Sequence, residues 1–267
     1  MKKRLMVLLC VFLFLVACAT VPITGRKQLS LVSSNEINAM SFKSYDEFLS
    51  NHKVIKGTDQ ARMVRSVGMR IQKSVEEYFA EQDLSARLDG YGWEFNLIDE
   101  PTANAWCMPG GKVVVYTGIL PITRDETGLA VVMGHEIAHA VANHGNERMS
   151  QGLIIQMGGV ALSQALSEKP AETQYLFLTA YGVGTQVGVL LPYSRLHESE
   201  ADHLGLIFMA MAGYDPNAAV YFWQRMTGSK KGASPPEFLN THPSDETRIK
   251  NMKKFLPEAL RFYKQRE

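Results

Sequence analysis

The pentad His135-Glu136-Ile137-Ala138-His139 constrains this chain more than any other stretch of it. The run before it, Glu126 to Met133, has helix-like apolar spacing, and a helix projects residues four apart from one face. His135 and His139 therefore offer two imidazoles side by side, half of a zinc site. Glu136 stands next to the first of them, aimed near a metal without having to bind it, which is where a base for an attacking water belongs. The alternative is a helix whose two His are core or surface residues with satisfied ring nitrogens, and a third ligand decides between the readings.

A catalytic zinc takes three protein ligands and keeps a fourth position open. Glu198 is the best third ligand. It lies in Ser194-Arg195-Leu196-His197-Glu198-Ser199-Glu200-Ala201-Asp202, ahead of the apolar run Leu204 to Met211, which reads as a second buried helix. Glu198 and Asp202 share a face one turn apart. Glu198 can then reach the metal while Asp202 accepts from the free ring N–H of a ligand His, fixing its tautomer. Glu200 points elsewhere, and His197 and His144 are not expected as ligands. Taken alone, this acidic cluster also reads as a solvated helix N-terminus favoured by the macrodipole.

H-E-x-x-H followed by S-R-x-x-E-x-x-A-D resembles the family-48 metallopeptidases, the gluzincins that include the CAAX prenyl endopeptidases, and its layout is nearest to the periplasmic lipoprotein proteases among them. Two further segments agree: Asn104-Ala105-Trp106-Cys107-Met108-Pro109-Gly110-Gly111 with the strand after it, and Thr241-His242-Pro243 with Arg248 beyond. The similarity runs from about residue 22 to about residue 256. It implies one Zn2+ per chain held by His135, His139 and Glu198, with Glu136 as base, and a gluzincin fold. It also implies that His242 lies near the metal, either as an oxyanion stabiliser or as a ligand closing the open position at rest. A loop histidine capping a helix that begins near Ser244 is the alternative for that residue.

Pro109-Gly110-Gly111 feeding Lys112-Val113-Val114-Val115-Tyr116 reads as a turn and a β-branched strand. A protease needs an edge strand against which an extended peptide can lie, and this strand is the expected edge, an interior strand being the alternative. Asn104, Ala105, Gly110 and Gly111 mark that substrate edge. Main-chain pairing of this kind is indifferent to side chains, which fits unfolded substrates.

At the front, Met1-Lys2-Lys3-Arg4 and the uninterrupted apolar stretch Leu5 to Ala17 make a secretory signal, too short for a comfortable membrane span. Leu15-Val16-Ala17-Cys18 resembles the bacterial lipoprotein signal, which implies a chain beginning at a lipidated Cys18; a plain signal cleaved near Ala19 is the alternative. Residues 1–17 are then the signal peptide, 18–32 a lipidated N-terminus and linker, and 33–267 the metalloprotease domain. Of the three cysteines, Cys10 leaves with the signal and Cys18 is acylated, so Cys107 is a free thiol and no internal disulfide forms.

Net charge is +1, and no basic stripe points to nucleic acid. Helical patterns cover about 34–50 and 58–82, the second with Val64, Val67, Ile71, Val75 and Tyr78 on one face, and strands are expected near Trp93–Ile98 and Val113–Tyr116. The fold expected is α+β and predominantly helical, with a small antiparallel sheet whose edge strand borders the active-site cleft. The apolar residues 153–192 read as core helices beside the site. From the resemblance, the expected function is hydrolysis of misfolded or unassembled cell-envelope proteins by a membrane-tethered endopeptidase on a bacterial membrane, the outer one, facing the periplasm. A chaperone-like envelope lipoprotein using the same cleft is the rival, and a pure binder has no chemical need for Glu136.

Overall fold

The computed structural model describes residues 18–22, 24–152, 191–228, 238, 242 and 246–263, without the side chains of 18, 191–194, 227, 228 and 246. The chain divides into two compact units, Met1–Ser34 with Asn143–Leu196, and Asn35–Ala142 with His197–Glu267.

The second unit holds the four-stranded sheet and most of the helices among the described residues. Its elements are α1 (Ser34–Asn51), β3 (Val54–Ile55), α2 (Asp59–Glu81), β4 (Glu94–Ile98), β5 (Ala105–Met108), β6 (Lys112–Tyr116), α3 (Leu120–Thr123), α4 (Glu126–Val141), α5 (Leu191–Met211), α6 (Asn217–Gly228) and α7 (Glu246–Phe262). The two long helical patterns thus form as expected, with boundaries within one residue. Thr58 caps α2, its hydroxyl accepting from the Ala61 N–H, and the helix buries Val64, Val67, Ile71, Val75 and Phe79. Tyr78, expected on that stripe, is only half-buried. Each such buried side chain contributes about 1.5–3 kcal/mol.

The four-stranded sheet has the order β3-β4-β6-β5. It is mixed: β4 runs parallel to β6, and the other two pairings are antiparallel. The strand expected at the edge, Lys112–Tyr116, is interior. Its Val113, Val114 and Val115 are fully buried and it pairs on both sides. The Pro-Gly-Gly turn supplies one of its two neighbours, β5, and the docking of β4 supplies the other. Gly110 and Gly111 adopt φ of +80° and +82°, and a Cβ on them would strike the Phe42 and Trp93 rings at 2.5 and 2.4 Å. That tight reversal folds the preceding segment back onto β6, and with β4 docked on the other side of β6, β5 is the edge strand among the described residues.

α4 packs against α2, α3, α6 and β5. Hence every residue from Gly128 to Val141 is buried. Asp125 caps it, its carboxylate accepting from the Gly128 N–H at 2.8 Å. α5 crosses α4 at a glycine pair: a Cβ on Gly134 would lie 3.1 Å from the Gly205 carbonyl, and one on Gly205 would lie 3.0 Å from the His135 amide nitrogen. Two glycines let the two backbones meet right beside His135.

In the first unit, β1 (Cys18–Thr20) pairs antiparallel with β2 (Lys27–Leu29). Residues 18–32, expected as a lipidated N-terminus and linker, therefore contain both strands. Arg26 donates two hydrogen bonds to Glu147 (2.9 and 2.7 Å), and Asn146 and Ser150, on helical residues 144–152, bond the main chain at Val32 and Leu31. The proposed signal, residues 1–17, and residues 153–190 of the expected core helices lie outside the described residues. No helix among the described residues is long and apolar enough to cross a membrane.

Candidate metal centre

α4 carries His135 and His139 on one face, α5 carries Glu198, and His242 comes from the segment before α7. One ligand atom from each of these four residues lies within 4.8 Å of the others. His135 Nε2 is 3.1 Å from His139 Nε2 and 3.3 Å from Glu198 Oε2; His139 Nε2 is 3.2 Å from Glu198 Oε1. His242 Nδ1 lies 3.0 Å from Glu198 Oε1 and 3.2 Å from His135 Nε2. Donors about 2.0–2.1 Å from a tetrahedral metal stand roughly 3.3 Å apart, so these spacings fit zinc with nitrogen and oxygen ligands. The charges fit as well. Glu198 and Asp202 are buried against the Arg248 guanidinium, with Glu136 buried 3.3 Å from His242, and three carboxylates around one guanidinium leave room for a divalent ion.

Burial pushes the Glu198 carboxyl up, but hydrogen bonds with His135, His139 and His242 outweigh it and hold its pKa well below the carboxylate range. Burial and Arg248 push His135 down, yet hydrogen bonds to Asp202 and Glu198 prevail and its pKa is raised.

Asp202 sits as the one-turn spacing requires. Its Oδ1 is 3.0 Å from His135 Nδ1, which leaves the Nε2 lone pair facing the cluster. Glu136 is buried, with Oε1 3.3 Å from His242 Nε2. Glu200, His197 and His144 are buried and outside the four-residue cluster. Asn104 and Ala105 lie at the start of the edge strand, with the Asn104 Oδ1 accepting from the Ala105 N–H at 2.9 Å. Gly110 and Gly111 form the turn that creates this edge. Cys107, half-buried on β5, has its thiol pKa raised well above normal by burial and by the charge of Glu136.

The sequence assigns Arg248 no role, and the structure gives it several. It donates to Asp202 through Nε and Nη2, both at 2.7 Å, places Nη1 3.2 Å from Glu198 and donates from it to the His242 carbonyl at 3.4 Å. Its guanidinium lies 3.4 Å above the Trp223 ring centroid. Trp223 stacks on Phe238, which stacks on His242 at 4.6 Å. The only signal for this in the sequence was Arg248 six residues beyond His242, and nothing there identified Trp223 or Phe238.

Residues 67–256 match the model of peptidase family M48. The chain is 33% identical over 240 residues to the mitochondrial metalloendopeptidase OMA1 of Schizosaccharomyces pombe, covering 90% of this chain and 66% of that one. It is 30% identical over 247 residues to human mitochondrial metalloendopeptidase OMA1, covering 90% and 46%. To the beta-barrel assembly-enhancing protease of Escherichia coli it is 30% identical over 161 residues, covering 59% and 33%. The chain thus spans less than two thirds of the length of these curated relatives. The expected location, a bacterial outer membrane with the chain facing the periplasm, is corrected by them: the relatives matching over 90% of the chain are mitochondrial metalloendopeptidases.

Proposed function

The chain belongs to peptidase family M48 and carries that family's metalloprotease domain, and from that premise we propose that it is a zinc-dependent endopeptidase acting on misfolded or unassembled polypeptides. The observation that carries the reading is the convergence of four donor atoms within 4.8 Å, with Glu136 buried beside them. His135, His139 and Glu198 are the proposed ligands of one zinc per chain. When bound, zinc supplies the Lewis acidity that lets a water attack a peptide carbonyl at neutral pH.

The chain's own residues do the rest. Glu136 accepts a proton from the attacking water and passes it to the leaving amine. Asp202, held by Arg248, fixes the His135 tautomer, and β5 offers its main chain to an extended substrate. His242 has two candidate uses, oxyanion donor or fourth ligand at rest, and its Nδ1 at 3.0 Å from Glu198 and 3.2 Å from His135 favours the second. The name of the E. coli relative, a protease that enhances β-barrel assembly, supports unassembled proteins as the substrate class. A chaperone-like holder would have no chemical use for a buried carboxylate at this position. Cys18 is proposed as a lipidation site attaching the chain to a membrane; Cys18→Ala protein that still pellets with membranes after a salt wash would exclude it.

The peptidase reading is tested with purified chain and denatured casein. Cleavage should stop on chelation and return with added zinc, and cleavage that persists in chelator contradicts it.

A further inference from the structure

The edge strand is asymmetric, and the asymmetry bears on what it accepts. The Tyr116 N–H donates to the Asn104 carbonyl at 3.0 Å. Antiparallel strands alternate, so Trp106 and Met108 also turn their main-chain groups towards β6, and Ala105 and Cys107 turn theirs outward. Asn104 already engages the Ala105 N–H, which leaves the Ala105 carbonyl and the Cys107 amide and carbonyl as the outward groups.

Side chains alternate too. Ala105 and Cys107 face α4, which packs against β5 and carries Glu136. Trp106 and Met108 face the other way, onto a cluster whose core is Tyr45, Ile98 and Val114. That core is fully buried, but Trp106, Met108, Phe48 and Tyr116 around it are only partly so. Trp106 stands edge-on to Phe48 (4.9 Å, 83°) and donates through Nε1 to the Tyr116 hydroxyl at 3.4 Å. Phe48 lies parallel to Tyr116 (3° between planes) and stacks at 3.9 Å on exposed His52. The result is a ledge of half-covered aromatic rings beside the outward edge of β5, on the face away from Glu136.

Residues directly opposite in an antiparallel pair share a face and touch. A polypeptide added to β5 would put the residue opposite Cys107 on the catalytic side, and the residues opposite Trp106 and Met108 on the ledge. The geometry points to Trp106 and Met108, backed by Phe48 and Tyr116, as a side-chain subsite selecting large apolar residues, aromatic above all, at alternate positions of an extended polypeptide. Such residues are buried in folded, assembled proteins and exposed in misfolded ones, so the subsite supplies a selectivity that main-chain pairing lacks. This inference rests on the peptidase reading for its occupant.

Its test is a binding measurement, so that hydrolysis and recognition separate. Zinc-loaded Glu136→Gln chain is titrated, by fluorescence anisotropy, into a short fluorescein-labelled peptide carrying Phe at two alternate positions, and into the same peptide with Ala there. The Phe peptide should bind about tenfold tighter or more. In the same background Trp106→Ala should abolish that advantage and Trp106→Phe should keep it. Where Trp106→Ala does not fold, Trp106→Leu, which fills the volume without a ring, should reduce it. Equal binding of the two peptides, or an advantage that survives loss of the ring, overturns the subsite. So does peptide binding that is competed by self-association, which would assign the edge to a second copy of the chain. A wild-type chain that binds the Phe peptide selectively but cleaves nothing would instead sink the peptidase reading and leave the subsite standing.

Discussion

Gly205→Ala separates metal affinity from fold stability. The added methyl would sit 3.0 Å from the His135 amide nitrogen and 3.1 Å from the Gly134 carbonyl carbon. Both are backbone atoms of a helix buried on all sides, so they cannot swing away, and α5 must retreat by a few tenths of an ångström. Alanine in a helix gains about 1 kcal/mol over glycine, and overpacking of a tight contact costs about 1–3 kcal/mol. The metal-free protein should therefore lose roughly 0–2 kcal/mol, a fall in Tm of at most about 8 °C for a chain of this size. Glu198 and Asp202 ride on α5, whereas His135 and His139 ride on α4. The same retreat opens the spacing of Glu198 to His135 and His139, now 3.3 and 3.2 Å. Zinc Kd, measured by competition with a chromophoric chelator, should weaken about tenfold to a hundredfold, as it does when a ligand loses its orienting partner. Gly152→Ala, with nothing within 4 Å of the new methyl, is the control. A folded Gly205→Ala protein with unchanged zinc Kd would refute the idea that the glycine crossing sets the ligand spacing.

Zinc affinity should fall as pH is lowered. His135 has a pKa raised above 6.5, so it keeps a proton to higher pH than a free imidazole, and that proton competes with the metal until pH exceeds the raised value. Competition titrations across neutral pH that show a flat Kd would contradict this. For metal-free protein the signs differ: the raised His135 stabilises at low pH and loses that contribution as pH rises through its folded pKa, while the lowered Glu198 stabilises above the normal carboxylate range and loses it as pH falls. His242→Ala should leave zinc bound and raise basal casein cleavage if the imidazole closes the fourth position at rest. A loss of about tenfold to a thousandfold in kcat would identify an oxyanion donor instead, and unchanged activity would remove His242 from both roles.

The parts of the site carried by local periodicity were legible in the sequence. His135 and His139 share a face because a helix puts them there, and Glu198 and Asp202 are related by the same rule on α5. The edge strand was not legible. Lys112–Tyr116 and Ala105–Met108 are joined by one turn, and which lies outside depends on β4 docking parallel to β6 across a long connection, a tertiary event that no local pattern records. The Gly134–Gly205 crossing was invisible for a similar reason: each glycine alone looks like a weak point in a helix, and only their contact explains them. Arg248 needed the folded chain too, since a guanidinium on an amphipathic helix reads as solvated until Asp202, Glu198 and Trp223 are seen around it.

Glu136→Gln, assayed for bound zinc and casein cleavage on the same preparation, tests the central claim most directly. The amide keeps the shape of the carboxylate and makes no metal contact that the account requires, so zinc content should stay at about one per chain while cleavage is lost, because an amide cannot accept the proton of the attacking water. Wild-type cleavage by a zinc-loaded Glu136→Gln chain would contradict the account.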